Sequence, residues 1–291
     1  GQRPAARRPG GWLLNVRARL EPGWQTHLMF ADFDGSVRDA GDHLVVRSPG
    51  SPSYYWGNFL LYERLASDAD LPAWLADFER DITQPDPACR HVAFGMQADA
   101  PDFAMPPAFA EAGFECFATT TMTLQPGQLR QPAVALGGGF EIRTLDLPRE
   151  APLAVDVDVA CNDDGYQPAA YRLFRENQLR RYGEMAAAGW GQWFGAFAQG
   201  QMVAGLGLFG RAGVGRFQHV TTHPAWRRRG LCRALVHAAC RYGQEQRGWH
   251  TLVMCADPDD VAIGIYESLG FARQSTQWSL QRRAPHDVLP G

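Results

Sequence analysis

A strand that runs into a basic, glycine-ended turn and then a helix constrains this chain more than any other stretch. Residues 217–233 read Phe-Gln-His-Val-Thr-Thr-His-Pro-Ala-Trp-Arg-Arg-Arg-Gly-Leu-Cys-Arg. The β-favouring run Phe217–Thr222 stops short of Pro224, which has no N–H to give a sheet ladder. Beyond Arg227, Arg228, Arg229 and Gly230, the residues Leu231, Ala234, Leu235, Ala238 and Ala239 recur at three- and four-residue spacing, the pattern of a helix with one buried face. The start of such a helix has unpaired backbone N–H groups and the positive end of the helix dipole, so it attracts anions. Gly230 has no Cβ and lets the backbone come close to a phosphate. The same residues also fit a solvated basic turn ahead of an ordinary surface helix.

The chain has 291 residues, a length that suggests roughly two domains. Its 28 Lys and Arg against 31 Asp and Glu argue against bulk nucleic-acid binding and give no reason for an anionic membrane as partner. The Arg triplet has no second basic cluster with aromatics beside it, which weakens a nucleic-acid reading further. No unbroken apolar run is long enough to span a bilayer. The cysteines Cys89, Cys116, Cys161, Cys232, Cys240 and Cys255 are scattered, without a CxxC pair or a ligand-like cluster. That usage fits reduced thiols in a cytoplasmic protein and predicts no metal site. Residues 1–11 carry Arg3, Arg7 and Arg8 but no hydrophobic signal core, and read as a flexible tail.

In chain order, 24–33, 43–47 and 54–62 read as strands, and 71–82 as a helix that Asp70 would cap, with Leu71, Trp74, Leu75 and Phe78 on one face. Strand 91–96, helix 107–112 and strand 114–124 follow. The stretch 125–139, with Pro126, Gly127, Pro132 and Gly137–Gly139, has linker composition and sets the expected division: a first domain over 1–126, a linker over 127–139 and a second domain over 140–291. The second half reads as strand 140–145, helices 151–161 and 168–188, a three-strand meander over 192–198, 202–209 and 215–222, the helix from Leu231, strand 250–255, helix 260–269 and strand 271–280. Both halves close alike, Ala112-Gly113-Phe114 running to Leu124 and Leu269-Gly270-Phe271 running to Leu280, which points to a duplicated fold.

At Arg227-Arg228-Arg229-Gly230-Leu231-Cys232 the second half resembles the GNAT superfamily of N-acetyltransferases, whose pyrophosphate loop reads Gln/Arg-x-x-Gly-x-Gly/Ala. Arg227 and Gly230 stand in register, and Cys232 replaces the last small residue. The resemblance extends to Asp259–Phe271, similar to the family's Asn-x-x-Ala-x-x-Leu-Tyr-x-x-Leu-Gly-Phe ending, with Asp259 at the Asn position. It covers roughly residues 140–280. It implies an α/β (α+β) fold of two GNAT-like domains, each a mixed, mostly antiparallel twisted sheet flanked by helices. The first, lacking such a loop before 71–82, would be a degenerate copy unable to hold coenzyme A.

The resemblance further implies acetyl-CoA as cosubstrate and direct acetyl transfer to a small-molecule or peptide amine. Val220, Thr221 and Thr222 would pair with the pantetheine arm. Arg227, Arg228, Arg229, Gly230, Leu231, Cys232 and Arg233 would cradle the pyrophosphate, with Asp259 assisting. One N–H of that strand would polarise the acetyl carbonyl. Tyr266 stands where the family places the acid that protonates the departing thiolate. Many relatives carry a Glu base on the strand before the loop. Here His219 is the only titratable side chain in that strand, either the base or a satisfied core histidine.

Asp156, Asp158, Asp163 and Asp164 fall where relatives line the acceptor pocket. Tyr54, Tyr55, Trp56, Trp190 and Trp193 either wall an acceptor site or pack the halves together. The missing Glu leaves a second function open: a non-catalytic CoA-binding sensor or interaction protein on a duplicated fold. Neither the acceptor's identity nor an oligomeric state is written in the sequence.

Overall fold

The structure, a computed structural model, describes residues 16–98, 100, 102–133, 135–163 and 165–284. The tail expected at 1–11 lies outside them, as does Asp164. The first half comprises helix α1 (Pro22–Asp34), strands β1 (Ser36–Asp39), β2 (His43–Arg47) and β3 (Phe59–Tyr62), helix α2 (Leu71–Phe78), strand β4 (Val92–Met96), helix α3 (Pro107–Glu111) and strand β5 (Glu115–Leu124). The second half comprises strand β6 (Phe140–Thr144), helices α4 (Ala151–Ala160) and α5 (Pro168–Ala187), the meander β7 (Gly191–Ala198), β8 (Gln201–Arg211) and β9 (Val214–Thr222), helix α6 (Leu231–Arg241), strand β10 (Thr251–Ala256), helix α7 (Ala262–Leu269) and strand β11 (Ala272–Arg282). The described part of 127–139 holds no helix or strand.

All these strands join in one mixed, mostly antiparallel sheet ordered β1-β2-β3-β4-β11-β5-β10-β9-β8-β7-β6. The halves interleave at its centre. β11 lies antiparallel between β4 and β5, and β5 antiparallel between β11 and β10, so each half completes the other's sheet. On either side of this pair the order repeats: β3 is parallel to β4, and β9 is parallel to β10. Helices α2 and α6 also both run on into a π-helical turn, Glu79–Thr83 and Tyr242–Gln246. These correspondences are what a duplicated unit produces.

Two stretches depart from the expected elements. Residues 24–33, expected as a strand, form α1. Pro22 sits in its first turn, and the Glu21 carboxylate accepts from the Gly23 and Trp24 amides, a strong helix start. Both faces of α1 are apolar because it packs in the seam between the halves. Trp24, Leu28 and Ala31 join Val46, Phe59 and Ala93, while Phe30 meets Tyr182 and Phe209. A helix buried on two sides shows no clean 3.6-residue stripe. Of 54–62, only Phe59–Tyr62 is strand, and Tyr55–Gly57 is a 3₁₀ turn.

Asp70 does not cap α2 either. Its carboxylate accepts from the Ser67 amide and hydroxyl and pairs with both terminal nitrogens of Arg64, closing the turn before the helix.

Candidate active site

The second half opens where β9 leaves β10. Their parallel pairing ends at Arg216 opposite Val253, yet β9 continues to Thr222, so the edge of 217–222 that faces β10 has no strand against it. On its other edge β9 bulges: Gln218 pairs with Gly207 and Thr221 with Gly205, which leaves His219 and Val220 opposite Leu206 alone. His219 takes a left-handed backbone (φ 48) to allow this. Phe217 points into the core under α6, against Phe271. Arg216 and Gln218 therefore point to the opposite face, hereafter the acceptor face, where α4, α5 and α1 lie.

The sheet hands over to α6 through a turn with Arg228 (φ 61) and Gly230 (φ 81) both left-handed. Gly230 is the N-cap of α6 and no side chain caps it. The Ala234 amide donates to the Gly230 carbonyl, and by helix geometry the amides before it point out of the helix end. A Cβ built on Gly230 would meet nothing within 4 Å, so the space above the helix start is open. Arg233, in the first turn, has a buried Nε without a hydrogen-bond partner. An open, uncapped helix start with an unfilled guanidinium donor fits a diphosphate.

The residues expected around a cosubstrate are thus brought together along β9 and the start of α6, with three particulars. Arg227 is turned back, its Nε donating to the Thr222 carbonyl (3.2 Å) and its Nη2 to Asp163 (2.9 Å), which ties the loop after α4 to the basic turn. Arg229 stacks over the Trp226 ring at 4.7 Å. Asp259 is exposed, and it is the Asp260 carboxylate that accepts from the Ala262 amide at the start of α7.

Tyr266 on α7 is buried at the end of α6 where Cys232 lies. Burial, then the neighbouring Cys232 and Asp260, push its hydroxyl well above the ordinary tyrosine value, so it stays protonated. The Cys232 thiol is likewise pushed up to about 12, chiefly by burial, so it is a thiol, not a thiolate.

Sequence reasoning missed what surrounds His219. Asp158, on the inner face of α4 and 1 % exposed, faces it: Asp158 Oδ1 is 3.3 Å from His219 Nε2, an ion-pair distance off the line of a hydrogen bond. Thr221 Oγ1 donates to the same oxygen at 3.1 Å, and Arg175 Nε from α5 donates to Oδ2 at 3.0 Å. Burial alone would raise the Asp158 carboxyl, but the facing His219 and Arg175 outweigh it and hold it below the usual carboxylate range. Asp158 is therefore committed to neighbours and is not a surface attractant for a cationic amine. Asp156 is outside, paired with Arg172. The signal for Asp158 was faint: a charged residue on the apolar face of Ala151–Ala160, between Val155, Val157 and Val159.

The aromatic group also divides. Trp193 is fully buried beside Tyr182, Trp190 packs on Phe33, Tyr55 stacks on His91, and Trp56 packs on Phe59. Besides Trp190 on Phe33, Tyr54 reaches across the halves against Phe174, and the Tyr55 hydroxyl accepts from the Ala284 amide at 2.8 Å. Among the described residues of the first half no cleft matches the one beside β9. β3 stays paired with β4 through Tyr62 and Met96, the Gln97 amide extends the ladder to the Tyr62 carbonyl, and Asp70 with Arg64 occupies the turn before α2. Asp42, His43 and Asp77 do come together there, within 4.8 Å of one another. But His43 Nδ1 already contacts Asp42 (2.7 Å), and Asp77 holds Arg80 and the Tyr62 hydroxyl. A shallow groove by Arg143, Glu150 and Gln192 contains none of the expected residues.

The site is thus a mixed sheet that splays beside a bulge, with the splayed strand feeding an open helix start. Residues 154–271 match the acetyltransferase (GNAT) family model. Solved structures share the fold across nearly the whole chain. A GCN5-related N-acetyltransferase from Kribbella flavida is similar at TM-score 0.63 and 18% identity, over 96% of this chain and 98% of its own. A tandem GNAT protein from the clavulanic acid biosynthesis pathway is similar at 0.59 and 14%, over 94% of each chain. A conserved protein of unknown function from Staphylococcus epidermidis is similar at 0.65 and 12%, over 88% and 97%. A search among curated proteins finds no match. No described helix is long and apolar enough to cross a membrane.

Proposed function

We propose that the second half transfers acetyl from acetyl-CoA to an amine of a small molecule or peptide, and that residues 1–126 are a degenerate copy which braces it across the linker 127–139. The observation that carries this is the continuity of the open edge of β9 with the uncapped start of α6, on the strand that also presents His219. The amides of residues 228–233, with Arg228, Arg229 and Arg233, hold the diphosphate. Val220 to Thr222 offer backbone groups to the pantetheine arm. The thioester supplies the activated acetyl group.

His219 takes a proton from the arriving ammonium, so that the amine nitrogen can bond to the acetyl carbon. Asp158 stabilises the imidazolium this creates and fixes the ring, acting as a positioning residue. Tyr266, kept protonated by its burial, delivers its proton to the sulfur as the carbon–sulfur bond breaks, and the second proton shed by the acetylated nitrogen restores the phenol. The free cysteines are in keeping with the reducing cytoplasm.

The test is release of free thiol from acetyl-CoA across a panel of amines, with Tyr266→Phe beside the wild type. Loss of the acid should lower kcat by about 100-fold while coenzyme A still raises the melting temperature. Thermal stabilisation by acetyl-CoA with no thiol released for any amine would instead mark a CoA-binding sensor.

A further inference from the structure

The acceptor face carries more cation than this chemistry uses. Arg175 and Arg181 reach it from the inner side of α5 and Arg216 from β9, with exposures of 4, 5 and 8%. The Tyr182 hydroxyl, one residue beyond Arg181, donates to Gln218 Oε1 on β9 (3.1 Å), which sets the inner side of α5 against the strand that carries Arg216. Arg181 is forked onto Asp34, and Arg175 is paired with Asp158.

Arg216 has no such partner. Its Nη1 donates to the Gly23 carbonyl (2.8 Å) and the Thr26 hydroxyl (2.9 Å), both neutral, and no carboxylate among the described residues lies within ion-pair distance. Glu21, at the start of α1, is committed to the Gly23 and Trp24 amides, Ser275 and Gln277. In the same polar seam Gln178 Nε2 is buried without a hydrogen-bond partner. A buried charge without a counter-ion is costly, and an unfilled donor on the facing helix is complementary to an oxyanion. Arg216 and His219 leave the same strand three residues apart, roughly 10 Å along it, a distance that one small molecule spans.

Resting on the acetyl-transfer reading above, we propose that the acceptor is an amine that also bears a carboxylate, an amino-acid-like compound whose carboxylate is held by Arg216 while its amine faces His219. The same charges disfavour polyamines.

The experiment titrates a panel of neutral and acidic L-amino acids, and the matching carboxamides, into protein saturated with coenzyme A, followed by calorimetry. For at least one side chain the acid should bind about 30-fold or more tightly than its amide, the effect of removing one buried charge-assisted contact. Arg216→Gln should abolish that ratio, and Arg216→Lys should retain part of it. The proposal is overturned if acids and amides bind alike, if none of the acids binds, or if the ratio survives Arg216→Gln. The wild-type comparison alone decides it should Arg216→Gln not fold. Failure of coenzyme A itself to bind is a separate result, which removes the acetyl-transfer reading and this one with it.

Discussion

Placing a carboxylate where the diphosphate should sit separates binding from folding, and Gly230→Asp does so with little steric disturbance. Gly230 has φ 81 and open space where a Cβ would project. The backbone strain of a side chain in this conformation is about 1 kcal/mol, less for Asp than for most residues. An acidic group at a helix start returns roughly 0.3–1 kcal/mol through the dipole, so the unliganded variant should be within about 1 kcal/mol of wild type.

Coenzyme A at about 100 times its wild-type Kd should stabilise the wild type by about 2.7 kcal/mol. In the variant two like charges about 4 Å apart near the protein surface repel by roughly 1–4 kcal/mol, which corresponds to a roughly 5- to 1,000-fold loss of affinity. At the middle of that range the ligand stabilises by only about 0.5 kcal/mol. The assay is thermal unfolding with and without coenzyme A, with Gly230→Ala as a control that carries the strain without the charge. An unchanged coenzyme A shift in Gly230→Asp would refute the placement of the diphosphate at α6.

Two further outcomes follow from buried charge. Asp158→Asn strands Arg175, and Arg175→Met strands Asp158. Each should cost about 3–5 kcal/mol in urea unfolding, whereas the double variant should lose clearly less than the sum. Strict additivity would mean that the Asp158–Arg175 pair is not coupled.

His27 on α1, bonded to the Trp56 carbonyl, is lowered to about 4 by burial first and then by Arg216. The unfolded chain then binds a proton that the folded one refuses. This contribution is intact above about pH 6.5 and is lost as pH falls toward 4, reaching on the order of 2–3 kcal/mol. His27→Gln should flatten that part of the stability–pH curve. An unchanged slope would show that His27 is protonated in the folded state.

The parts of the site legible in the sequence were those written in consecutive residues. Gly230 declares a left-handed helix start because Leu231, Leu235 and Ala239 declare the helix, and Thr222-His223-Pro224 ends the strand before it. Nothing local declares Asp158. Its partners His219, Thr221 and Arg175 come from two other elements, and only the fold shows that α4 and α5 turn these polar groups inward against the β9 bulge.

The same limit explains α1. Its apolar residues point both ways because the chain's two halves bury it from both sides, a condition set by β5 and β11 exchanging places far along the sequence. Arg216 shows what that burial implies for function. It ties α1 to β9 through the neutral groups of Gly23 and Thr26, so the first half supplies the wall that desolvates the guanidinium. On the proposed reading, a first half whose described residues form no such cleft still sets what the second half accepts, because the strength of an unpaired cation toward a carboxylate depends on how completely that wall excludes water.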